Sequence, residues 1–200
     1  MDITSQAPSI GSTYLKVSEV PFKDWDSISE ITQKWASIAQ EKEIKTQKTG
    51  DDIIFAESKF VIQKIQEKIE TSLALSESVA DASLFVCLDH TSTVQGIAFF
   101  SPQKLDIIYL ASNPNHLLHR INDAAKRVHG VGTAMILHFA QIAQSQDKPL
   151  KVFTLDSSFP FYNQLGFVEG SMKWDLVLTC EKIQDLISRK LSKLNFSFVV

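Results

Sequence analysis

The chain has 200 residues, a length that suits one domain with at most a small appended element. Its 20 lysines and arginines against 23 aspartates and glutamates leave a net charge of −3, which excludes a nucleic-acid binder working through bulk positive charge. With 44% hydrophobic residues and few glycines and prolines, it is an ordinary globular composition that needs neither metal nor disulfide to hold a core.

Residues 1–11 are polar and read as a loose lead-in. Tyr14–Val20 alternates apolar and polar side chains, as a half-buried strand does. From Pro21 a helical pattern begins, with Ile28, Ile31, Trp35, Ile38 and Ala39 on one face, so that Trp25 and Trp35 read as core, with the lining of an acceptor pocket as the alternative. Thr46–Asp52 breaks it, and a second helix carries Ile62, Ile65, Ile69 and Leu73. The period then shortens. Ser83–Leu88, Gln95–Ser101 and Leu105–Ala111 read as three consecutive antiparallel strands.

Residues 112–130 are polar and mildly basic. Helical spacing returns with Val131, Ala134, Met135, His138, Phe139 and Ile142, and places His138 as a hydrogen-bonded interior histidine. A strand at Leu150–Leu155, a short helix in the segment FPFYNQLG, strands at Phe167–Glu169 and Lys173–Thr179, and an amphipathic helix over Glu181–Asn195 complete a mixed α/β order. The closing residues Asn195–Val200 are apolar for a chain end. They suit pairing as an edge strand or burial in a partner subunit, which would make a homodimer.

No apolar run approaches the ~20 residues that a membrane-spanning helix needs. The N-terminus lacks a basic segment leading into an apolar one, so no secretory signal is legible. Cys87 and Cys180 have no CxxC or Cys/His spacing and read as two buried free thiols of a reducing, cytoplasmic compartment. His116, His119 and His129 have no carboxylate or cysteine at a known ligand spacing, so no metal site is expected.

The sharpest local signal is Arg127-Val128-His129-Gly130-Val131-Gly132, where a polar loop gives way to a helix. A helix N-terminus has unpaired N–H groups and partial positive charge, which suits a phosphate, and glycines let it approach the backbone. A helix start with two flexible residues is the alternative. The dinucleotide fingerprint fails because the third glycine is absent, and no P-loop string occurs.

The string RVHGVG resembles the R/Q-x-x-G-x-G/A motif of the GCN5-related N-acetyltransferases. It follows an apolar strand ending in Asn113-Pro114 and precedes an amphipathic helix. Further on, Phe161-Tyr162-Asn163-Gln164-Leu165-Gly166-Phe167 resembles that family's Y-x-x-x-G-F segment. The two motifs in this order cover residues 84–179 well. The resemblance implies an α/β fold with a mixed, mostly antiparallel sheet flanked by helices and splayed between strands 4 and 5. On this reading residues 12–180 form the transferase domain, and residues 181–200 an added helix and tail.

The resemblance also implies acetyl-CoA as co-substrate and direct attack on its thioester by a primary amine in a ternary complex. Its pyrophosphate would rest on Arg127, Val128, His129, Gly130, Val131, Gly132 and Thr133, and its pantetheine arm along Leu110 and Ala111. Tyr162 matches the general acid for the departing thiolate. Asp106 stands where some relatives have a glutamate as base, one methylene shorter and so reaching through a water. A strand-initial aspartate at a turn is the plainer account of it. Asp156, Glu57 and Glu169 are other candidates for the base. Two departures stand out: the connection Asn115–His129 is long, and Leu155 occupies the position of a frequent asparagine. They keep open a catalytically silent CoA-binding or interaction module on the same fold. The acceptor, whether small molecule or protein, is not specified by these motifs.

Overall fold

The computed structural model describes residues 14–47, 51–75, 81–117, 130–172 and 174–191. Seven strands form one sheet: β1 (Lys16–Glu19), β2 (Ser83–Leu88), β3 (Val94–Ser101), β4 (Asp106–Ser112), β5 (Leu150–Phe153), β6 (Val168–Glu169) and β7 (Asp175–Leu178), in the spatial order β1-β2-β3-β4-β5-β7-β6. Every neighbouring pair is antiparallel except β4 and β5, which run parallel. Among the described residues five helices accompany it: α1 (Trp25–Thr46), α2 (Asp52–Leu75), α3 (Val131–Ser145), α4 (Phe159–Leu165) and α5 (Cys180–Leu191). The order of strands and α-helices matches the one read from the sequence, with two 3-10 turns added, Pro114–His116 after β4 and one ahead of α1. A 3-10 turn, Phe22–Asp24, follows Pro21 before the α-helix starts at Trp25.

Alternation along the strands splits the apolar side chains between two cores. On one face Leu84, Val86, Ile97 and Phe99 meet Trp25, Ile28 and Trp35 of α1 and Ile62, Ile65 and Ile69 of α2. On the other, Phe85, Ala98, Phe100 and Ile107 meet Met135, Phe139 and Ala143 of α3 and Ile183, Leu186 and Ile187 of α5. Trp25 is fixed by a hydrogen bond from its indole N–H to the Val20 carbonyl at 3.1 Å and is 2% exposed.

Two readings of single residues need correction. His138 is half-buried and lies beside the Phe85 and Phe139 rings, with no hydrogen bond to the described residues; burial lowers its pKa. Cys87 is buried, and burial pushes its thiol up to about 12, but Cys180 is exposed because it opens α5 at the surface. Leu194 and the tail Asn195–Val200 lie outside the described residues.

The β2–β3 hairpin is closed by a buried carboxylate. Asp89 accepts from the Thr91 and Thr93 N–H groups at 2.9 and 3.0 Å, the Thr91 hydroxyl at 2.6 Å and the Gln95 amide at 2.8 Å. Gln95 in turn accepts from the Asn113 side chain at 3.3 Å and its carbonyl from the Asn113 N–H at 2.9 Å, which anchors the end of β4. Burial works to raise the Asp89 pKa, but these donors hold it down at about 2. A depressed carboxylate stabilises the fold above its unfolded pKa and loses that contribution as pH falls. Urea titrations should therefore show about 2 kcal/mol of stability disappearing between 3.8 and about 2, and an Asp89→Asn variant should lack that loss. An unchanged acid limb in the variant would contradict this.

Candidate active site

Strands β4 and β5 pair only through Asp106–Lys151 and Ile107–Val152, with the Lys151 N–H donating to the Leu105 carbonyl at 2.9 Å. Beyond Ile107 they part. Part of the cause is a bulge: Tyr109 faces Phe99 and Ile107 faces Phe100, so Ile108 has no opposite residue on β3. Ile108 and Tyr109 consequently both pack toward α1 and α2, while Leu110 returns to the α3 side. Leu110 and Ala111 are paired to Ala98 and Ile97 on one edge and have no ladder partner among the described residues on the other. Such an edge offers backbone donors and acceptors to whatever enters the gap.

The glycine turn borders this gap. Gly130 has φ +82, the left-handed region where a side chain is strained, and nothing lies within 4 Å of the place a Cβ would occupy. Its carbonyl accepts the first helical bond of α3, from Ala134 at 2.8 Å. The N–H groups of Val131, Gly132 and Thr133 are thereby without a backbone partner among the described residues. Arg127, Val128 and His129 lie outside the described residues.

Two further contacts seat α3. A Cβ on Gly96 of β3 would stand 2.6 Å from Val131 Cγ1 and 2.8 Å from Met135 Sδ. A Cβ on Gly132 would stand 3.0 Å from the ring of Phe161, so α4 lies directly against the glycine turn and the two sequence motifs meet in space.

On α4, Tyr162 is 5% exposed, edge-on to Phe161 and Phe167 at 5.1 and 5.3 Å. The helix ends at Gly166, whose φ of +100 lets Phe167 fold back so that its N–H reaches the Tyr162 carbonyl at 3.2 Å. The glycine and phenylalanine of that motif therefore serve to pin the tyrosine. The Tyr162 hydroxyl has no hydrogen-bond partner among the described residues, and burial pushes its pKa upward.

Asp106 sits at the foot of the gap, where β4 and β5 are still paired, and alternation puts it on the α1–α2 face. It is half-buried. Burial raises its pKa, Asp175 adds to that, and Lys151 and Lys104 oppose it. Glu57 of α2 is engaged elsewhere. Its carboxylate accepts from the Ser157 N–H at 3.1 Å and from the Ser157 hydroxyl, tying the helix to the β5–α4 connection. Asp156 and Glu169 are exposed. In the same connection Thr154 and Ser158 share a hydroxyl contact at 2.7 Å, and the Leu155 N–H donates to Ser158 at 3.2 Å.

Sequence reasoning missed the bulge at Ile108, the Glu57–Ser157 tie, and the sheet face that α1 and α2 leave uncovered. There Phe153 and Val168 are 59% and 48% exposed. The exposed alternate positions of β5, Lys151 and Phe153, were the only signal for the last. Among the described residues no group of three or more His, Cys, Asp or Glu is placed to hold a metal, and no helix is long and apolar enough to cross a membrane.

A sheet split between a bulged fourth strand and a parallel fifth, with a glycine turn opening the helix beside the gap, is the fold of the GCN5-related N-acetyltransferases. Among solved structures the chain is similar to a candidate acetyltransferase from Exiguobacterium sp. 255-15, with TM-score 0.51 and 17% identity over 86% of this chain and 97% of that one. It is also similar to a chimeric spermidine N-acetyltransferase from Vibrio cholerae and hSSAT (TM-score 0.49, 10% identity, 86% and 98% covered). Tetrahymena GCN5 follows at TM-score 0.46 and 14% identity, with 80% and 82% covered. No protein-family model matches the sequence, and no curated protein matches it.

Proposed function

We propose that this chain is an acetyl-CoA-dependent N-acetyltransferase that passes the acetyl group to a primary amine by direct attack in a ternary complex. The observation that carries the reading is the juxtaposition of the open-sided Gly130 turn, with its three N–H groups at the start of α3, and the unpaired edge of β4. The first suits a pyrophosphate and the second an extended amide-bearing arm. Val131, Gly132 and Thr133 would hold the pyrophosphate, with Arg127, Val128 and His129 adding to it, and Leu110 and Ala111 the pantetheine.

The amine acceptor would come from the α2 side, over the uncovered face near Phe153. Asp106, through a water, takes the proton that the ammonium must lose before its nitrogen attacks the thioester carbon. Its raised pKa makes it a better proton acceptor than an ordinary aspartate. The C–S bond then breaks. Full proton transfer from a phenol near ~10 to a thiolate whose acid is near ~8.5 is uphill by about 2 kcal/mol. Burial of Tyr162 steepens that slope. The phenol therefore acts chiefly as a hydrogen-bond donor to the developing thiolate.

Residues 12–180 carry this chemistry, with α5 backing α3 through Ile183, Leu186 and Ile187. Free Cys87 and Cys180 fit a reducing, cytoplasmic setting.

A thermal-shift titration tests the reading. Acetyl-CoA at ~100 times Kd should add about 2.7 kcal/mol, a Tm rise of roughly 5–10 °C for a chain of this length. In Gly130→Asp, which sets a carboxylate where the pyrophosphate would lie, the shift should vanish. No shift in the unmodified protein overturns the assignment.

A further inference from the structure

At the end of the sheet opposite the glycine turn, a cavity of about 480 Å³ opens between the end of β1, the start of β2 and the β3–β4 connection. Its volume is in the range of small-molecule sites. Phe22, half-buried, and Trp25 behind it form an aromatic corner, edge to face at 5.0 Å, and Pro21 and Pro102 add rigid apolar wall. The Trp25 indole is already committed to the Val20 carbonyl, so the corner is fixed in place. Two carboxylates line it. Asp81 is paired with Lys104 at 2.8 Å, and Glu19 has no ion pair with the described residues. Asp24 and Asp26 stand in the adjoining 3-10 turn and first turn of α1, so with Lys23 and Lys104 counted the surroundings are still net acidic.

We infer that this cavity binds a small organic cation, an ammonium with an apolar body, at a site separate from the acetyl-transfer cleft. The body lies on the Phe22 ring and the prolines, where an aromatic face also attracts the positive charge. The ammonium sits between Glu19 and Asp81, competing with Lys104 for the latter. A neutral molecule of the same shape gains only the apolar contact, and an anion meets two carboxylates.

The test is calorimetric titration of the full chain with phenethylammonium, 2-phenylethanol and phenylacetate, repeated on Glu19→Gln/Asp81→Asn and on Phe22→Ala. The cation should bind saturably one to one, with the alcohol and the anion at least about tenfold weaker. Both variants should weaken the cation by about tenfold or more while their acetyl-CoA thermal shift stays that of the parent. Three results overturn the inference: no saturable binding, equal binding of the alcohol, or binding that neither variant disturbs. The last places the amine in the acetyl-transfer cleft, so it removes this site and leaves the transferase reading standing. Loss of the acetyl-CoA shift in the unmodified protein removes the transferase reading alone.

Discussion

Replacing Gly96 with valine is expected to destabilise the protein by about 3 kcal/mol and to abolish acetyl-CoA binding together with it. A Cβ at this position already collides with Val131 at 2.6 Å and Met135 at 2.8 Å, and stands 3.3 Å from the Cβ of Cys87 on the neighbouring strand. Methionine can swing aside, but Val131 is short, stiff and the first residue of α3. The helix must lift off the sheet at the end that bears the free N–H groups. Gly96→Ala should lie between the parent and the valine variant. Urea denaturation gives the stability, and the thermal shift with acetyl-CoA the binding. A valine variant that keeps full affinity at reduced stability would mean that the seat of α3 and the cofactor turn are not linked.

Tyr162→Phe should separate chemistry from folding. The hydroxyl has no hydrogen-bond partner among the described residues, so its removal breaks no bond in the core, and unfolding stability should change by less than about 0.5 kcal/mol. The two ring contacts persist in phenylalanine. With a responsive amine, turnover should nevertheless fall by about 100-fold while the KM for acetyl-CoA holds, because what is lost acts only as the thiolate forms. Unchanged turnover would return Tyr162 to the status of a core aromatic. If in addition no amine releases CoA from the unmodified protein, the silent CoA-binding module becomes the better account.

How much of this was legible depended on whether the cause was local. The strands from Ser83 to Ala111 announced themselves because both sheet faces are covered there, giving short apolar runs cut by turn residues. The glycine turn was legible as glycines at a helix start, and the α4 segment through its resemblance to a family motif, whose glycine takes the left-handed helix end at Gly166. The bulge at Ile108 was not, since Asp-Ile-Ile-Tyr reads the same whether or not one residue lacks a partner. Nor was the role of Glu57, whose partner Ser157 is a hundred residues away. Cys180 misled through composition: cysteine is usually buried, but here α5 begins with it at the surface.

The join between β4 and β5 also sets how the molecule deforms. Two residue pairs in parallel register are the whole hydrogen-bonded seam between a half-sheet of β1–β4 and one of β5, β7 and β6. Parallel pairs are the weaker kind; α3, α4 and α5 back the seam on one face, and on the other the Glu57–Ser157 contact ties α2 to the β5–α4 connection. The hydrogen bonding of the sheet is thus thinnest along one line, and any rotation of the halves about it must shear the α3-side core, which runs from Phe85, Phe100 and Ile107 across to Leu150, Val152 and Leu176. Amide hydrogen exchange at Lys151, whose N–H donates across the seam to the Leu105 carbonyl, would report that motion directly, as protection below that of Ile97 in the middle of its own half.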